Sequence, residues 1–162
     1  MTNREPEAEA SVRTPTRVAA VELDIEGGRK QSVTIYLSSV AQTHAGPETV
    51  EEALNHERAF MPVRDQDSGD AFLVRRSAIR LVTHLLDPSE TLRRVEDAGF
   101  VDLVKLELDT GEMVEGTLAT ILPPDRARLS DFFNFTNAQF IPVEVADGVS
   151  YVNRDFISMV WL

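Results

Sequence analysis

The sequence predicts an α+β, mainly β, protein built from two small bent-sheet or barrel units in tandem, each carrying one short helix and the two related by a pseudo-two-fold. Three observations lead there. Several segments alternate apolar and polar residues with a period of two, the mark of strands with one buried face. Glycine-bearing turns separate these segments. The pattern also repeats. Placing Gly28 over Gly111 brings Val21, Leu23 and Ile25 onto Val104, Leu106 and Leu108, and Thr34 and Ile35 onto Thr117 and Leu118. Further on, Val50, Ala53, Leu54 and Asn55 meet Leu129, Phe132, Phe133 and Asn134, and Phe60, Pro62 and Val63 meet Phe140, Pro142 and Val143. Val74, Arg76, Ile79 and Val82 meet Val152, Arg154, Ile157 and Val160. Order and apolar phase are kept while length changes fall in turn-like segments, which points to internal duplication.

Each unit reads in the same order. Val21–Ile25 and Val104–Leu108 alternate as first strands, and Glu26-Gly27-Gly28 and Asp109-Thr110-Gly111 turn the chain. Second strands follow near Ser32–Val40 and Val114–Ile121, and both break at proline, at Gly46-Pro47 and Pro123-Pro124. A short helix comes next. Thr49 and Glu52 have capping-box spacing, and Val50, Ala53 and Leu54 share a face, as do Leu129, Phe132 and Phe133. Strands Phe60–Val63 and Phe140–Val145 lead through Ser68-Gly69 and Asp147-Gly148 to the last strands, Ala71–Val82 and Ser150–Leu162, each with an Arg-bearing kink. Between the units, Asp87 caps a helix with Pro88 at its first position and Gly99 beyond its end. The expected organisation is a disordered tail at 1–17, unit one at 18–84, a linker helix at 85–100 and unit two at 101–162. The tail is rich in Glu, Pro, Thr and Arg, holds few large apolar residues and has no apolar run of the kind a secretory signal needs.

Composition narrows the function. The chain has no cysteine, so thiolate chemistry, disulfides and cysteine-built zinc sites are excluded, in keeping with a cytoplasmic setting. Sixteen basic residues face 27 acidic ones, a net charge of −11, which repels phosphate backbones and anionic membranes. No apolar run reaches membrane-spanning length.

Two stretches carry a family resemblance. Leu106-Glu107-Leu108-Asp109-Thr110-Gly111-Glu112-Met113-Val114-Glu115-Gly116-Thr117-Leu118 resembles the first motif of the Sm-like superfamily, and Tyr151-Val152-Asn153-Arg154-Asp155-Phe156-Ile157-Ser158-Met159-Val160 resembles the second, with an echo in Phe72–Val82. The chain departs from that family in placing a proline break and a helix after the second strand. The resemblance implies a strongly bent small β-barrel and an RNA contact in the turn that holds Arg75 and Arg76 in one unit and Asn153 and Arg154 in the other. The Leu129-Ser130-Asp131-Phe132 helix start before Phe140-Ile141-Pro142 is also similar to a bacterial module, a likeness that implies no activity.

The candidate contact residues are therefore Arg75, Arg76, Asn153 and Arg154, whose plainer reading is basic turns that offset an acidic surface. Phe135 joins them as an outward aromatic beside the inward Phe132 and Phe133. Asp65, Asp67 and Asp70 imitate a calcium loop, but Arg76 stands where the twelfth-position ligand belongs, so no metal is expected. His44, His56 and His84 have no dyad or ligand spacing, and Ser130-Asp131 fits a helix start better than a nucleophile. No catalytic residues and no cofactor are expected. The reading is a non-catalytic protein-interaction or assembly module with a protein partner or self-association, a homodimer being one form. The alternative is a regulator that binds RNA or a small anion through the Arg turns. The apolar Met159-Val160-Trp161-Leu162 strand is expected to be covered, by the other unit or by a second chain.

Overall fold

A computed structural model describes residues 16–120 and 128–162. The expected tail lies almost wholly outside the described residues, as does the Pro123-Pro124 break. The first strand, β1 (Thr16–Ile25), begins at Thr16 rather than Val21, so Thr16 and Arg17 belong to a strand and not to the tail. It forms a long hairpin with β2 (Arg29–Ser38), turned at Gly27 and Gly28, both at positive φ.

The helix α1 (Val50–Leu54) starts in a complete capping box. Thr49 accepts from the Glu52 amide while the Glu52 carboxylate accepts from the Thr49 amide. Then come β3 (Phe60–Asp65), β4 (Ala71–Arg75), a 3-10 turn at Arg76–Ala78 and β5 (Ile79–Leu85). The linker helix α2 (Pro88–Glu96) is capped by Asp87, whose side chain accepts from the amides of Ser89 and Glu90. The second half follows with β6 (Phe100–Leu108), β7 (Met113–Thr120), α3 (Leu129–Phe135), β8 (Phe140–Val145), β9 (Gly148–Asn153), a 3-10 turn at Arg154–Phe156 and β10 (Ile157–Trp161).

These strands form one open antiparallel sheet in the order β10-β6-β7-β8-β9-β5-β1-β2-β3-β4. In each half the last strand lies beside the first, followed by the second, third and fourth. The halves join where β5 pairs with β9, from Leu81↔Val152 to Leu85↔Gly148. Local details recur as well. The first strands slip register against β5 and β10 just after the 3-10 turns, where Arg80 and Ser158 are the extra residues. The β2–β3 ladder ends at Val63, one residue before Pro62, which has no amide hydrogen to offer.

Two apolar cores result. The first gathers Leu23, Val33, Ile35, Leu54, Met61, Val63 and Ile79, and takes Phe140, Val149 and Tyr151 from the second half. The second gathers Leu106, Leu108, Leu118, Phe132, Ile141, Val143 and Val152, and takes Leu81 from the first half. Neighbouring residues on a strand face opposite ways, so the two cores lie on opposite faces of the shared strands. That is why β8 and β9 are buried along nearly their whole length.

Candidate functional site

The residues singled out in the sequence occupy two kinds of place. Arg76 opens the turn after β4. Its Nε and Nη2 donate to the Ala53 carbonyl at 3.2 and 3.0 Å, and its Nη1 donates to the carbonyls of Arg58 and Phe60 at 2.5 and 2.9 Å. Burial lowers its pKa from the ordinary value. Arg154, in the second half, donates to the Thr136 carbonyl. Asn153 is fully buried. It donates to the Ile79 carbonyl at 2.7 Å and accepts from the amide of Asp155 and the side chain of Gln139. The two arginines tie the turns to the segments beside them, and Asn153 ties the end of β9 to the start of β5.

Arg75 and Phe135 are placed differently. Arg75 is exposed and lies over the Phe60 ring, 4.9 Å from its centroid. Phe135 exposes 61 % of its surface, as its position beside the inward Phe132 implies. The two Arg turns are brought side by side: the Arg76 turn leads into β5 and the Arg154 turn leaves β9, which are neighbouring strands paired from Leu81↔Val152, and the Asn153 side chain bonds the Ile79 carbonyl between them. Asp65 closes its own hairpin, accepting from the amides of Asp67 and Ser68 and from Gln31; those bonds, Ser68 foremost, hold its carboxyl below the usual range. Among the described residues no three His, Asp or Glu side chains gather as metal ligands. No helix among them is long and apolar enough to cross a membrane.

The junction of the halves holds the densest polar chemistry. Arg80, buried, pairs with Asp109 of the other half at 2.9 Å and with Asp24 at 3.6 Å. The Arg80 hydrogen bond in turn depresses the Asp109 pKa. From α2, Arg94 reaches across to the buried Glu144 at 2.8 Å, and Glu144 Oε2 has no hydrogen-bond partner among the described residues. Glu51 lies close by with its pKa raised by burial, and burial pushes the Tyr151 hydroxyl up to about 12. Beside them opens a cavity of about 380 Å³ lined by Arg17, Leu37, His84, Arg93, Arg94 and Tyr151. Glu48, Glu90 and Asp97 also line it, so its cations are balanced by acids.

A backbone clamp completes the junction. Asn55, at the end of α1, donates through Nδ2 to the Phe140 carbonyl at 3.2 Å and accepts through Oδ1 from the Phe140 amide at 2.8 Å. The sequence marks Asn55 only as a helix end; nothing in its neighbours betrays a partner 85 residues away.

At the two ends of the sheet the situation reverses. Among the described residues β4 and β10 each pair on one side only. Leu73 on β4 is 64 % exposed and the adjacent Phe60 45 %, while on β10 Met159 is 48 % and Trp161 52 % exposed. The apolar strand at 157–161 is thus not covered by the other half. The chain matches no family model, and no curated protein and no solved structure is detectably similar to it.

Proposed function

We propose that this chain is an assembly module that joins other protein by adding strands to its sheet edges, and that its halves are duplicated units of one strand plan. The observation that carries the reading is that the chain already contains one such junction, β5 on β9. The strand order repeated in the two halves, the recurring register slips and the matched backbone bonds of the Arg76 amide to Ala59 and the Arg154 amide to Gln139 support the duplication. The open edges support the role. Neither β4 nor β10 carries the lysine or proline that commonly guards a solvent-facing edge, and both present large apolar side chains.

The reading is non-catalytic, and the Sm-like resemblance fits it through the strand-glycine-strand hairpins turned at Gly28 and Gly111, both at positive φ, although the sheet they belong to is open and not a barrel. Recognition of RNA or a small anion by the Arg turns has less behind it. Arg76 already bonds three backbone carbonyls, and the chain carries a net charge of −11. A photo-crosslinking residue at Leu73 or Met159 should trap protein in a cell extract, while one at the exposed Lys30 on β2 should not. Trapping at Lys30 alone, or saturable RNA binding with no trapping at the edges, contradicts the proposal.

A further inference from the structure

The internal junction is a template for the free edges. Counting from the two 3-10 turns, Leu81 and Val82 on β5 correspond to Met159 and Val160 on β10. By the same count Val152, Tyr151 and Ser150 on β9 correspond to Val74, Leu73 and Phe72 on β4. The strand types that meet inside the chain, the last of one half and the fourth of the other, are therefore the two left open at its ends. We propose that a second copy of this chain lays its β10 along β4 in the register of the internal junction, setting Met159 against Val74, Val160 against Leu73 and Trp161 against Phe72. This rests on the assembly reading above and names its partner.

The side chains are prepared for that contact. At the internal junction Phe140 and Tyr151 cross from the second half into the first core, and Leu81 crosses the other way. Their counterparts are Phe60, Leu73 and Met159, all exposed in the single chain. In the assembly Phe60 and Leu73 enter the second core of the neighbouring copy, and Met159 enters the first core of the copy it joins.

The clamp has a counterpart too. Asn55 bonds the Glu51 carbonyl one turn back and holds the Phe140 backbone. Asn134 bonds the Ser130 carbonyl one turn back, is exposed, and makes no other hydrogen bond among the described residues. Its amide is positioned to receive the backbone of Phe60 from a second copy. Three features of the junction are missing: where Arg80 pairs with Asp109 the free edges offer Ser158 and Glu26, Arg75 stands in place of the Asn153 that bonds the Ile79 carbonyl, and Arg64 stands in place of the Glu144 that Arg94 reaches. The contact between copies is accordingly weaker than the internal one and responds to concentration.

Each copy presents one edge of each kind, so the pairing is head to tail. It closes into a ring or runs on as an open chain, unlike a two-fold dimer in which one patch meets itself. Light scattering on Leu73→Asp, which blocks β4, and on Met159→Asp, which blocks β10, tests this. Wild-type chain should exceed the monomer mass and grow with concentration. Each variant alone should be a monomer, and an equimolar mixture should give a one-to-one dimer, because one intact edge of each kind remains. Formation of that dimer also proves both variants folded. Asn134→Ala, which alters only an exposed side chain, should weaken wild-type association roughly tenfold.

Wild-type chain that stays monomeric at every concentration overturns the inference, as does Leu73→Asp that still assembles alone, or variants with native circular dichroism whose mixture stays monomeric. If wild-type chain is monomeric while crosslinkers at Leu73 and Met159 trap a different protein, this inference fails and the assembly reading stands. Trapping at neither edge ends both.

Discussion

The polar residues that matter most to this fold act through backbone and charge at the junction of the halves. Arg94 reaches from α2 to Glu144, whose side chain is almost fully enclosed. Removing the guanidinium leaves a carboxylate in a site that water hardly reaches. Arg94→Ala is expected to cost about 3 kcal/mol in urea denaturation, and the double change Arg94→Met with Glu144→Met to recover most of it. A loss no larger for Arg94→Ala than for the exposed Arg93→Ala would show that the pair holds nothing together. Several residue roles were legible beforehand. Thr49 and Glu52 form the capping box their spacing predicts, and Asp87 caps α2. Those motifs are local, so sequence neighbours define them. The partners of Asn55, Arg80 and Arg94 were not legible, because each lies in a different half and depends on how the sheet joins.

At the scale of elements, the alternating strands were read correctly in kind and order, and the Arg-bearing kinks appear as 3-10 turns at Arg76–Ala78 and Arg154–Phe156. Alternation reports a strand with one buried face, which suits β1, β2, β6 and β7. Nearly continuous apolar runs such as Phe140-Ile141-Pro142-Val143 report burial on both faces, and β8 and β9 lie at the middle of the sheet accordingly. What such a run cannot state is which strand lies beside it. Gly148 shows how tightly β9 meets β5: a Cβ there would stand 2.1 Å from the His84 carbonyl oxygen and 2.9 Å from the Leu85 Cα. Both contacts are backbone and cannot turn aside. Gly148→Ala is expected to cost about 3 kcal/mol or more. At Gly99, beyond α2, a Cβ meets nothing within 4 Å. Gly99→Ala should be neutral or gain about 0.5 kcal/mol by restricting the unfolded chain. Thermal melts of the two variants compare them directly, and equal effects would contradict the close approach of β9 to β5.

For the whole molecule, one continuous sheet with a core on each face of its shared strands leaves its two ends unlike its middle. The central strands are enclosed, while β4 and β10 face outward with Leu73, Met159 and Trp161 exposed. The acidic surface, net −11, disfavours indiscriminate aggregation and leaves strand pairing in register as the route to association. Amide hydrogen exchange across a dilution series tests the central claim most directly, since it reads the two edges in unmodified protein. Amides at 72–74 and 158–160 should gain protection together as concentration rises, while the β1–β2 hairpin is unchanged. Exchange at both edges that is independent of concentration would contradict it.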